Sequence, residues 1–342
     1  MMWQFNHIYI EKDIKDHPRT ADILEKCRAN GIFYIDRYMD IFGRKKQDIH
    51  FQMKHRSLIL AKATGELLYR GSPMCQDYGR REFYYTSLMK NCLYDCEYCF
   101  LKGMYDCGYL VVFVNIEDVF DSVEKKLSEI DKGQTMYLSV SFDTDLFSFE
   151  KMTGYCHLWA QFAAAHPDCE IEVRTKGAPD IDKIIEPSES GSELTDTSNF
   201  ITAFTLSPQH LIEKFEHHTA PLSERLASAK AAIERGRTVR LCIDPMIYVK
   251  DWEEYYGELV DLIASSLALE RVRDFGIGTF RISKEYLKRL RAAESNSEAT
   301  QYPFVTDGGY AGYPEKLKAQ MLDFLKKKLQ DAGVPGEKIY IS

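Results

Sequence analysis

Short β-rich apolar runs alternate with longer stretches of helical period over most of the chain after residue 100. The runs predict strands at 110–114, 136–142, 170–175, 201–206, 239–243 and 274–280. Between them the pattern predicts helices at 117–130, 151–165, 180–185, 221–235 and 252–267. Gly236 stands where the fourth of these helices needs a C-terminal cap residue. Strands that alternate with helices form parallel βαβ units, which close into a partial barrel or open into a doubly wound sheet. Before this region a strand at 8–10, a helix at 19–29 stopped by Asn30-Gly31, and a strand at 32–35 form a smaller βαβ-like unit. After it come a helix at 314–331 and a last strand at 338–341. The polar stretch 187–199 reads as a surface insertion. The predicted organisation is an N-terminal α/β extension over 1–82, a barrel-like body over 83–283, and a C-terminal extension over 284–342.

Composition narrows the function. With 44 Lys and Arg against 52 Asp and Glu, the net charge of −8 argues against a surface that binds nucleic acid indiscriminately. A local basic groove remains compatible with it. One such concentration is residues 43–56, with Arg44, Lys45, Lys46, His50, Lys54, His55 and Arg56 against Asp48 alone; it reads as a solvated loop, an exposed strand edge or a polyanion contact. No eighteen apolar residues run together, so no membrane span is expected. The first residues lack a basic leader and a cleavage site, and a cytoplasmic location is expected.

Of the nine cysteines, three are bunched in Cys92-Leu-Tyr-Asp-Cys96-Glu-Tyr-Cys99-Phe100. Thiolates spaced by three and then two residues can wrap one centre from a single loop, and soft ligands select iron–sulfur clusters or zinc. A closed structural zinc site needs a fourth ligand, for which Cys75, Cys107 or a histidine would have to fold in. With only three thiolates, one metal position of a cluster stays open.

The Cys-x3-Cys-x2-Cys-aromatic spacing resembles the signature of radical S-adenosylmethionine (SAM) enzymes. Beyond the cysteines the chain resembles the spore photoproduct lyase family from about residue 84 to 260. The resemblance rests on Asn91 to Leu101, the segment ending Val114-Asn115, and Ser139-Val-Ser141-Phe142-Asp-Thr144-Asp145. It continues through Val173-Arg-Thr-Lys176, Phe204-Thr205-Leu206-Ser207, Glu216-His-His-Thr219 and Ile243-Asp244-Pro245. The resemblance implies a partial (β/α)6 barrel and a lyase that repairs a thymine photolesion in DNA. It implies a [4Fe–4S] cluster on Cys92, Cys96 and Cys99 that binds SAM through its open iron. Lys176 would hold the SAM carboxylate, Thr144 the methionine end and Thr205 the ribose. Asp244 matches a family position near SAM, and Tyr98 would contact the adenosyl part and relay a radical. A small electron-donor protein such as flavodoxin or ferredoxin is implied as a partner.

Two positions depart from the family. Where it has a hydrogen-donating cysteine this chain has Phe142, and where it has a relay tyrosine it has Phe100. Neither ring carries an S–H or O–H. Cys242 shares a strand face with residues 240 and 244, which makes it a candidate substitute donor, and Cys75 is a second. For DNA contact, Arg271, Arg273, Arg281, Lys284, Lys288, Arg289 and Arg291 form a basic region. The segments Tyr302-Pro-Phe304 and 307–313 offer aromatic wedges. Two other readings fit the sequence. One is the same scaffold acting on a modified nucleotide, RNA or peptide. The other is a non-catalytic iron–sulfur or zinc module.

Overall fold

The computed structural model describes residues 2–72, 74–185 and 196–342. Most of the predicted polar insertion at 187–199 lies outside them. Alternation sets up two sheets that share one core. In the first, β1 (Trp3–Glu11), β2 (Cys27–Ile35), β3 (Leu58–Ala61) and β8 (Leu110–Phe113) run parallel in the order β2-β1-β3-β8, with β6 (Met89–Lys90) antiparallel at the β8 edge. Ile8, Ile10, Leu58, Leu60 and Val112 face the main core, while Ile59, Ala61, Val111 and Phe113 face a smaller cluster around Phe42 and Tyr105. The period of two is what lets one strand serve both.

The second sheet orders as β4-β5-β9-β10-β11-β13-β14-β18. Its strands are β4 (Tyr69–Arg70), β5 (Glu82–Tyr85), β9 (Met136–Ser139), β10 (Cys169–Thr175), β11 (Phe200–Thr205), β13 (Thr238–Met246), β14 (Asp274–Thr279) and β18 (Ile339–Ile341). All pair in parallel except β4, and the curled sheet forms a partial barrel. Helices Ile116–Glu129, Tyr155–Ala165, Ile181–Ile185, Leu222–Glu234 and Trp252–Ser266 connect the strands, close to their predicted spans. Gly236 adopts φ 77° just after Leu222–Glu234, a conformation in which glycine avoids the Cβ clash.

Two expectations are corrected. The strand at 110–114 forms, but it is paired to β3 over four residues and belongs to the first sheet; β5 is the first parallel strand of the barrel. The helix expected at 19–29 ends at Glu25, and residues 29–31 are strand, because β2 pairs with β1 over almost its whole length and Gly31 sits in that ladder opposite His7.

The barrel interior is polar rather than oily. Along β10 the alternation Glu170-Ile-Glu172-Val-Arg174 sends the apolar residues to the hydrophobic core under the helices and the charges inward. Arg240 is almost fully buried there, donating to Glu172 (2.7 Å) and the Tyr137 hydroxyl (3.0 Å), and in a two-pronged pair with Asp274. This ionic plug fills one part of the barrel and leaves the other open as a cavity.

Candidate active site

The three clustered cysteines ride on a loop tied down from three sides. Asn91 enters it with φ 67°, a left-handed backbone that its amide supports by donating to the carbonyls of Cys107 (2.7 Å) and Tyr109 (2.8 Å). Arg56 donates to the carbonyls of Cys92 (3.3 Å) and Leu93 (2.6 Å). Within the loop β7 (Asp95–Cys96) pairs antiparallel with β12 (Glu216–His217), which sets Cys96 opposite Glu216. His217 reinforces the pairing through Glu97 at 2.9 Å.

The loop opens onto a cavity of about 600 Å³. Cys92, Cys96, Cys99, Tyr98, Thr144, Lys176, Thr205 and Asp244 all line it, from sequence positions far apart. Burial pushes the three cysteine thiols up, that of Cys96 to about 12. Among the described residues, no three His, Cys, Asp or Glu side chains are gathered to hold a single metal ion.

Lys176 extends from the end of β10 to the Tyr98 hydroxyl (2.7 Å) and to Glu216 (3.2 Å). Tyr98 donates its hydroxyl proton to Glu216, as does Ser207 at 2.8 Å. The fully buried Arg225 closes the network, donating to Glu216 (2.6 Å), the Thr205 carbonyl (2.8 Å) and the Thr219 hydroxyl (2.7 Å). Burial alone would raise the Glu216 carboxyl, but Lys176 and Arg225 outweigh it and hold it at about 2. Burial likewise works against the charge on Lys176, and Glu216 more than restores it. Lys176 brings its ammonium to the cavity wall, while the Asp145 carboxylate, which also lines the cavity, accepts from the Lys176 backbone amide at 2.8 Å. The Thr144 hydroxyl is buried and has no hydrogen-bond partner among the described residues. Such a group is costly unless a ligand satisfies it.

Asp244 is less available, since Arg281 engages its two carboxylate oxygens at 2.8 and 3.1 Å. Phe142 and Phe100 line the cavity together with Tyr85, whose ring stacks on Phe142 at 4.2 Å. Phe100 meets Phe142 at 5.7 Å. Cys75 lines the cavity and is partly exposed. Cys242 does point inward, but it is fully buried, lies 3.5 Å from the Tyr78 hydroxyl and does not line the cavity.

The late basic region is mostly paired within the chain. Arg273 joins Glu170 and Asp274, Arg281 joins Asp244, Arg289 meets Asp106, and Arg291 donates to the carbonyls of Thr300 and Tyr302. Tyr302, Phe304 and Tyr313 pack on one another. Of the expected wedges, Tyr310 is exposed, at the start of β17 (Tyr310–Gly312), which pairs with β15 (Arg281–Ser283) and β16 (Val305–Asp307) beside the cavity.

Sequence reasoning gave no role to Arg225 and Glu216. The available signal was an arginine on a helix face otherwise made of Leu222, Leu226 and Ala229, where only an internal acid could compensate it.

A family profile described as spore photoproduct lyase matches residues 3–293. The spore photoproduct lyase of Bacillus subtilis (strain 168) is 22% identical over 266 residues, covering 76% of this chain and 73% of that protein. That of Clostridium acetobutylicum is 20% identical over 299 residues, covering 86% and 84%. A spore photoproduct lyase complexed with dinucleoside spore photoproduct superposes with a TM-score of 0.80 at 16% identity, covering 98% of each chain. A lyase variant with bound AdoMet and dinucleoside spore photoproduct gives 0.77 at 17% identity, covering 100% of this chain and 99% of that one. With a profile match over most of its length and the same partial barrel, the chain belongs to the spore photoproduct lyase family of radical SAM lyases.

Proposed function

We propose that this lyase restores thymines from a spore photoproduct in DNA, with Cys92, Cys96 and Cys99 holding a [4Fe–4S] cluster and SAM seated beside it. The observation that carries the reading is the single cavity shared by the three thiols, the unpartnered Thr144 hydroxyl, Lys176 and Thr205. When bound, the cluster and SAM supply reductive sulfonium cleavage and the carbon radical that removes a hydrogen atom from the lesion. Lys176, whose side chain lines the cavity, holds the SAM carboxylate. Thr144 donates to the methionine end, Thr205 reaches the ribose, and Tyr98, fixed by Lys176 and Glu216, packs against the adenosyl part. Asp244 serves mainly to orient Arg281 at the cavity wall.

Hydrogen return falls to Cys75. It is the cavity-lining thiol outside the cluster loop, and burial pushes it up, so it keeps its S–H. An S–H, not a thiolate, is what a thymine radical can take a hydrogen atom from. The Cys75 position supports this better than Cys242, whose thiol lies against Tyr78.

An anaerobic assay with an oligonucleotide carrying one spore photoproduct tests the reading, with thymine and 5′-deoxyadenosine followed by mass spectrometry. Reduced, reconstituted protein restores thymine; Cys75→Ala keeps 5′-deoxyadenosine release but loses about tenfold or more of thymine yield, and Cys242→Ala matches the parent. 5′-Deoxyadenosine without thymine from the parent would favour another substrate on this scaffold. Unchanged yield in Cys75→Ala would remove it as the donor.

A further inference from the structure

The helix Ile49–Lys54 and the segment before it present a compact basic surface on a chain of net charge −8. Arg44, Lys45, Lys46, Lys54 and His55 are all exposed. Lys45, Lys46 and Lys54 form no ion pair among the described residues. The local acid, Asp48, is occupied as the helix cap, accepting from the Phe51 amide at 2.9 Å. On the same helix Phe51 is 55% exposed, with its ring tilted against that of His55 at 4.4 Å. An exposed aromatic ring next to exposed cations can seat and steer an oppositely charged partner.

What gives this surface a purpose is the loop behind it. The inner face of the same helix puts Ile49 and Met53 into a small cleft whose other walls include Cys92, Cys99 and Tyr94. Arg56, two residues beyond the helix, carries the Cys92 and Leu93 carbonyls. None of residues 43–56 lines the large cavity. The basic surface therefore backs directly onto the cysteine loop, on a side that leaves the cavity free for substrate.

We infer that residues 44–55 form the docking surface for a small acidic one-electron carrier protein that reduces the centre held by Cys92, Cys96 and Cys99. The inference rests on the cluster assignment proposed above. The reduced carrier loses one electron and the cluster gains one, with no atom transferred. Lys45, Lys46 and Lys54 steer the acidic partner, and Phe51 seats it. Nucleic acid would also seek these charges, but a strand bound here would lie behind the loop and away from the cavity that must receive the lesion.

The test uses the full chain, reduced flavodoxin as the acidic carrier, and the triple variant Lys45→Glu/Lys46→Glu/Lys54→Glu. Flavodoxin binding is read by calorimetry at low salt, and SAM cleavage is driven in parallel by flavodoxin and by dithionite. The variant is expected to lose about tenfold or more in flavodoxin affinity and in flavodoxin-driven cleavage. Its dithionite-driven cleavage, like its iron content, matches the parent. Phe51→Ala, which leaves the charges in place, weakens binding as well. Equal flavodoxin affinity in parent and triple variant would overturn the docking surface, as would loss of oligonucleotide affinity with flavodoxin affinity intact. A parent with no iron and no dithionite-driven cleavage would instead remove the cluster assignment, a failure the calorimetry does not share.

Discussion

Position 142 shows how one side chain redirects a site. Phe142 stacks on Tyr85 and touches Phe100, so an apolar aromatic wall stands where the resemblance to the family implies a thiol and a phenol. Chemistry that needs a hydrogen atom must find it elsewhere in the cavity, and Cys75 is placed there. Phe142→Cys is expected to raise thymine yield per 5′-deoxyadenosine, while costing about 1–3 kcal/mol of stability from the lost ring packing. Paired product analysis and urea denaturation measure both. An unchanged product ratio would mean that position 142 does not face the lesion radical.

Between elements, the cysteine loop depends on close packing behind it. The short helix Leu101–Met104 that follows Cys99 lies against the helix Lys284–Ala293 with Gly103 at the crossing. A Cβ at residue 103 would collide with the Tyr286 backbone carbonyl, which cannot swing aside as a side chain would. Lys102 is buried beside it between Asp95 and Glu294, binding loop and helix together. Gly103→Ala should therefore push the helices apart and cost about 1–3 kcal/mol. Because the displaced helix carries the residues next to Cys99, iron retention after reconstitution should fall with it. Full iron content and parental stability would show that the crossing gives way without strain.

Across the whole molecule the barrel is held by charges as well as by oil. Burial raises the Glu172 carboxyl, but Arg174 and Arg240 more than offset this and hold it below the ordinary carboxylate range. The native state thus binds this proton less readily than the unfolded chain does. The stabilisation is complete above the unfolded carboxylate range and is lost as pH falls through it, from about pH 5 downward. Arg240→Met leaves Glu172 with Arg174 alone and Asp274 with Arg273 alone, and should cost about 3 kcal/mol near neutrality. The loss should shrink at acid pH, where Glu172 can take up a proton. Urea denaturation between about pH 4 and pH 7 would reveal it; a pH-independent difference between parent and variant would exclude this electrostatic role.

The sequence by itself determined the elements and the cysteine loop, because both are local. Helical period, strand alternation and the spacing of Cys92, Cys96 and Cys99 depend on neighbours a few residues away. The alternation of charges along β10 was equally visible, although its meaning required knowing which face turned inward. Tertiary structure alone decided which sheet each strand joined. Residues 110–113 have the apolar character of a barrel strand and became an N-terminal one, since β3 offered the matching ladder. It also decided which thiol met the cavity. Alternation put Cys242 on the inner face correctly, but Tyr78, from a loop 164 residues away in sequence, covers its sulfur, whereas Cys75 in another part of that loop reaches the open space. The Glu216–Arg225–Lys176 network is likewise tertiary, built where three strand ends and a helix converge. Local patterns report on periodic burial; which polar groups end up sharing a cavity depends on long-range packing that no short window of sequence contains.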